Sequence, residues 1–326
     1  MAFEKVDLDK IRKGVRITFV LFALISAALL AFTVQKKTLP ALRSSNPLGL
    51  LLALFFWGLY ISFDTLRLKF LAVAMGRKIS FFRTLQVITS GIFLAAVTPF
   101  QVSGLPLQIF ILNRSGLSVG EATALLISRG ITQYFFILLL LPFAVRIIGE
   151  SVGFLIRALA VYIALLLVAG IAFYLLAVWK PQVAVRIIPR RWKRTREKFL
   201  EEIVKLRESF FILLRGRRSL PIALAMLSSL LSLLFYLSMI PSLLFGLGLD
   251  PRPQLSMAIQ VIFQATLLYT PTPGGAGIAE AAGAALYSLV CPKYLLGVFI
   301  ILWRFFTIYI TAFLGAYFFI KATREV

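Results

Sequence analysis

Thr98-Pro99-Phe100-Gln101-Val102-Ser103-Gly104-Leu105-Pro106 and Thr270-Pro271-Thr272-Pro273-Gly274-Gly275-Ala276-Gly277 each break an apolar run with proline and glycine. Backbone amides and carbonyls cannot be left bare in hydrocarbon, so such breaks survive only inside protein or against a watery cavity. One break falls in each half of the chain. A pair of interrupted apolar segments in corresponding places points to an inverted repeat with a binding site where the halves meet.

The rest of the chain is composed for a bilayer. It is 60% hydrophobic, with a mean hydropathy of +0.93, well above a soluble domain of ordinary composition. Ile17 to Val34 runs 18 positions without a charge, about 27 Å of helix at 1.5 Å per residue. That nearly matches the hydrocarbon core, roughly 30 Å thick. Basic residues precede this run as they would a signal peptide. It is longer than a usual signal core and lacks a small-x-small site before Lys36, so a retained first helix is expected. The formal charge of +22 fits membrane topology and anionic head groups, and no nucleic-acid partner is expected. Histidine is absent and Cys291 is the single cysteine. That removes the commonest general base and any Cys/His zinc set. No phosphate loop, nucleophile elbow or H-E-x-x-H appears, so no cofactor or metal is expected.

Apolar runs predict helices at about 17–34, 48–75, 83–98, 121–148, 151–179, 219–246, 254–270, 275–290 and 294–320. Lys180 to Arg218 carries 13 Lys/Arg against four Glu, and five Lys/Arg fall in the first 16 residues. Both segments, and the loop with Arg77, Lys78 and Arg83, are cytoplasmic by the positive-inside rule. The chain must then cross an even number of times between residues 77 and 180. Parity holds if 83–98 and 104–113 form a re-entrant hairpin from the cytoplasmic face, with 254–270 and 275–290 as its counterpart from outside. Two fully spanning hairpins satisfy parity equally. Lys36, Lys37 and Arg43 fall in an outer loop against the rule, outweighed by the larger basic segments. The expectation is an all-α polytopic transmembrane helix bundle forming one domain over 1–326. Its first repeat spans about 48–179, a cytoplasmic basic linker 180–218, and its second repeat about 219–320, with opposed re-entrant hairpins between cytoplasmic termini. Within the linker, Phe199, Ile203, Leu206, Phe210 and Leu213 share one helical face. That face serves either the lipid surface or packing on the bundle.

Charges inside the apolar runs locate the candidate site. Arg304, in Ile300-Ile301-Leu302-Trp303-Arg304-Phe305-Phe306, stands near the centre of the last helix, and Arg129 follows Leu125-Leu126-Ile127-Ser128. An arginine at that depth costs about 2.5–3.5 kcal/mol on insertion scales and faces a cavity or a partner. Glu280 lies just past the second break. These three groups are expected at similar depth, either as a structural ion pair or with a guanidinium left for a phosphate. Gly274, Gly275 and Gly277 would open a half-helix whose N–H groups attract an anion, or simply turn the chain. Thr98, Gln101 and Gln108 offer uncharged hydrogen-bonding groups to a ligand or to freed backbone. Pro99, Gly104 and Pro106 break the first run, and Pro271 and Pro273 the second. Asp64, Arg67 and Lys69 read as snorkelling groups near a cytoplasmic helix end.

The second break, from Thr270 through Gly277 to Glu280, resembles the P-x-P-G-G-x-G-x-x-E signature of the lysylphosphatidylglycerol synthase transmembrane-region family. Thr98 to Gln108, then Asn113-Arg114-Ser115-Gly116, Glu121-Ala122 and Arg304, are similar to that family's other features. The resemblance covers about residues 10–322. Many members carry Gly-Glu near Leu105-Pro106, so that acidic residue's role does not carry over. The resemblance implies movement of anionic or glycosylated lipids between leaflets. Synthase members attach an aminoacyl-transferase domain after this region, whereas this chain ends at Val326, so aminoacylation by this chain alone is not expected.

The expected function is a lipid flippase or transporter of the cell inner membrane, not an enzyme, moving an anionic or glycosylated phospholipid-type substrate by alternating access, with membrane lipids bearing anionic head groups as partners. Two alternatives stay open: a non-catalytic partner of a lipid-modifying enzyme, and a membrane transferase acting on lipid head groups.

Overall fold

This computed structural model describes residues 30–98, 104–149, 219–266 and 272–324, with isolated positions within 20–28 and 165–211. The expected helix 151–179, most of the 199–213 stripe, Pro99, Gln101 and Pro271 lie outside the described residues. Every regular element among the described residues is helical: α1 (Thr38–Arg43), α2 (Pro47–Ala74), α3 (Phe81–Ala96), α4 (Gly104–Asn113), α5 (Val119–Gly149), α6 (Ser219–Gly246), α7 (Pro253–Thr266), α8 (Ile278–Tyr287), α9 (Lys293–Arg304) and α10 (Ile310–Arg324). Four helical stretches, α2, α5, α6 and the run Lys293–Lys321, are long and apolar enough to cross a membrane. Large apolar side chains face outward on them, among them Phe55, Phe143 and Phe313. Such a surface belongs against lipid tails rather than water.

Local chemistry sets the helix starts. The Asn46 side chain accepts from the Leu48 amide and Pro47 opens α2, where its missing N–H costs nothing. Ser80 accepts from the Arg83 amide at the start of α3. Ser118 and Glu121 cap each other's amides at the start of α5.

The first hairpin returns to the face it entered from. Arg77, before α3, pairs with Glu121, after α4, at 2.6 Å, and Arg83 donates to the Ser115 hydroxyl. At the opposite end, the Asn46 amide donates to the Gly246 carbonyl and the Thr38 hydroxyl to that of Tyr294. The second hairpin, α7 and α8, is rooted there. At ten residues each, α4 and α8 reach only about 15 Å at 1.5 Å per residue. Neither crosses a core of roughly 30 Å. Lengths this short fit the re-entrant reading, and the end of α3 meets the second break: a Cβ on Gly274 would stand 3.2 Å from the Ala96 carbonyl oxygen.

Between the hairpins run α2 and α6, 28 residues each and antiparallel. Gly49 touches the Gly246 backbone, Phe56 stacks on Phe235, and Tyr60 lies 5.1 Å from Tyr236 between ring centroids. Two further pairings are reciprocal. The hairpin arm α3 packs on α10, and the hairpin arm α7 packs on α5.

The last element differs from the expected uninterrupted helix at 294–320. Phe305–Tyr309 forms a π-helical turn directly after Arg304. The chain is anchored on both sides of it, by Arg304 on the Gly274 carbonyl and by Thr311, which accepts from the Trp57 indole. The wide turn takes up the residue that would otherwise break this register.

Candidate functional site

A partly open cavity of about 200 Å³ lies where the end of α3 meets the second break. Its wall includes the polar residues Tyr60, Tyr134, Tyr236, Gln264 and Thr307 together with Gly274, beside Ile92, Ala95, Ala96 and Ile308. These residues come from α2, α3, α5, α6, α7, the second break and the π turn, so both halves of the chain build the wall. The Thr307 hydroxyl donates to the Trp303 carbonyl one turn back along its own helix.

Arg304 and Glu280 form an ion pair, Nε to Oε1 at 2.8 Å, with side chains 1% and 4% exposed. Arg304 also donates to the Gly274 carbonyl at 2.6 Å, and its guanidinium lies over the Trp303 and Tyr309 rings. Glu280 accepts the Gly277 amide with its other oxygen. The opened half-helix is thus capped by its own carboxylate, which occupies the position where an incoming anion would bind. Gly274, Gly275 and Gly277 have φ of 57, 74 and 85°, so they turn the chain into α8.

Arg129 belongs elsewhere. It grips Asp64 with two bonds, Nε to Oδ1 at 2.9 Å and Nη2 to Oδ2 at 2.5 Å, and not Glu280. Asp64 also accepts from Arg67, which in turn donates to Ser229 and Gln133. The expected convergence of Arg129, Arg304 and Glu280 is therefore two separate clusters. The snorkelling reading of Asp64 and Arg67 fails as well, since Asp64 is 0% and Arg67 1% exposed. Ten residues before the end of α2 is about 15 Å of helix, too deep for a short carboxylate to reach water. The readable signal was the i, i+3 spacing of Asp64 and Arg67 one turn after Tyr60. The cavity tyrosines carried no signal of their own.

The other predicted groups sit around the first break. The Thr98 hydroxyl donates to the Leu94 carbonyl, satisfying freed backbone. Gln108 is buried with its side chain over Gly91, and Gly104 stands against the Gly91 carbonyl, so both hold the hairpin arms together. Pro106 is exposed in the first turn of α4, and Pro273 opens the short turn Pro273–Gly275. Among the described residues, no cluster of three metal-ligating side chains occurs.

The family model described as the lysylphosphatidylglycerol synthase TM region matches residues 17–315. The chain belongs to this family. A UPF0104 membrane protein of Archaeoglobus fulgidus is 29% identical over 308 residues, covering 90% of this chain and 92% of that protein. Membership places the paired breaks and the central charges in a multi-pass membrane protein of a lipid-related family.

Proposed function

We propose that this protein carries lipid head groups between leaflets by alternating access, without chemical modification, in the cell inner membrane with both termini cytoplasmic. The observation that carries the reading is the cavity where the first hairpin arm meets the second break, lined by polar residues from both halves among apolar ones. Its volume is below the roughly 300–1,000 Å³ of pockets that enclose drug-sized ligands, so it suits a head group with the acyl chains left in lipid. The helix pairings support an inverted repeat. The equivalents α2 and α6 are equal in length and antiparallel, α4 and α8 are equal in length, and the connections 114–118 and 288–292 match. The α3–α10 and α7–α5 contacts exchange under the same operation. Two such halves rocking about a fixed central site would expose it to each side in turn.

A leaflet-resolved assay in liposomes tests this. Purified protein is expected to move fluorescent phospholipid to the dithionite-protected leaflet faster than empty vesicles do. Equal rates with and without protein would sink the proposal. The family description keeps a second reading in play, a non-catalytic membrane partner of a lipid-modifying enzyme. That reading predicts co-purification with an enzyme whose activity falls when this protein is removed.

A further inference from the structure

We infer that the central site selects a head group carrying one negative charge, a phosphodiester, and that the Asp64 cluster, rather than Arg304, sets this preference. The inference rests on the proposed lipid-handling role and specifies its substrate. Arg304 is neutralised by Glu280 and held to the Gly274 carbonyl in a seam 1% exposed. The Asp64 cluster is unbalanced. Its two guanidinium groups, Arg67 and Arg129, share one carboxylate, leaving one positive charge.

A net charge in a low-dielectric interior is costly unless something cancels it. Asp64 already accepts from both arginines, and the remaining partners of Arg67, Ser229 and Gln133, are neutral. The Nε of Arg67 is buried without a hydrogen-bond partner among the described residues, as are the Nε and Nη1 of Arg304. What separates the two sites is therefore net charge: Glu280 balances Arg304, whereas one carboxylate faces two guanidinium groups at Asp64. Arg129 keeps 17% of its side chain exposed.

The cluster borders the cavity. Tyr60 and Tyr134 form part of the cavity wall, and both lie within electrostatic reach of Arg129. The polar wall side chains singled out above are all neutral, so none of them adds charge to the site. A monoanion brings the site to zero. A zwitterion leaves the surplus uncancelled, and a dianionic phosphomonoester overshoots it.

The test is lipid retention by the purified full-length protein, read by native mass spectrometry at pH 8, where a phosphomonoester is mostly dianionic. Phosphatidylglycerol, phosphatidylcholine and phosphatidic acid are offered in equal amounts. Wild type is expected to retain phosphatidylglycerol at least ten-fold over the other two. Arg129→Gln, which removes the surplus charge, should lose that preference, while Arg129→Lys should keep it. Glu280→Gln with Arg304→Gln, which leaves the net charge unchanged, should also keep it. An arm with excess inorganic phosphate separates a free-anion site from a lipid site: displacement by phosphate alone would reassign the site to soluble anions and overturn the lipid assignment.

Equal retention of the three lipids by wild type overturns the inference even if no variant folds. Charge-selective retention with no lipid movement in liposomes would sink the transport role and leave the charge rule standing. Movement without charge preference would do the reverse.

Discussion

The Arg304–Glu280 pair shows why a buried ion pair is easier to keep than to halve. Glu280 carries two duties, the guanidinium at 2.8 Å and the Gly277 amide at 2.6 Å. Removing one partner of a buried pair leaves an uncompensated charge, typically at a cost of about 3–5 kcal/mol. Glu280→Gln and Arg304→Gln are each expected to lower stability by about that amount, and the double variant by clearly less than their sum. Thermal unfolding in detergent or denaturant titration of the four proteins measures this. Additive losses would mean that the two side chains do not depend on each other. Arg304 and Glu280 were legible as important because an arginine amid Ile, Leu, Trp and Phe demands a partner or a cavity. Asp64 and Arg67 were less so. Lys69 and the basic loop beyond it suggested a nearby water surface, and only the packing of α2 on α6 removed it.

At the scale of elements, the breaks were readable because prolines and glycines cluster there, whereas Pro142 and Pro241 stand singly inside continuous helices. Gly274 combines φ of 57° with close approach to Ala96. A left-handed conformation costs roughly 1–2 kcal/mol for a residue with a Cβ, so Gly274→Ala should destabilise by at least that much. Gly130, inside α5, would place a Cβ in open space. Gly130→Ala should therefore be neutral or stabilise by up to about 1 kcal/mol. Unfolding midpoints of the two variants against wild type decide the matter, and equal midpoints would remove the break from the set of conformationally fixed elements. The π turn was not readable in the same way. Phe305-Phe306-Thr307-Ile308-Tyr309 is as apolar as any spanning helix, and its irregularity depends on tertiary anchors at Arg304 and Thr311.

For the whole molecule, the reciprocal pairing of hairpin arms with the long helices of opposite halves makes those seams the surfaces that must shift if the halves rock. Phe93 of α3 and Phe319 of α10 face each other there, with ring centroids 5.6 Å apart. Cysteines at both positions, joined by a short bis-maleimide, should stop lipid movement, whereas either single variant treated alike should not. The native background suits the experiment. Cys291, the one native cysteine, is 2% exposed, and burial pushes its thiol up to about 12. A raised thiol value favours the unreactive neutral form, so at pH 7–8 the thiolate that attacks maleimide is almost absent at Cys291. Native protein should stay unlabelled at that pH, and label to one equivalent once unfolded in SDS. Transport by the cross-linked protein at the wild-type rate would rule out motion along this seam, leaving the central cavity to exchange head groups by movements confined to the hairpin tips.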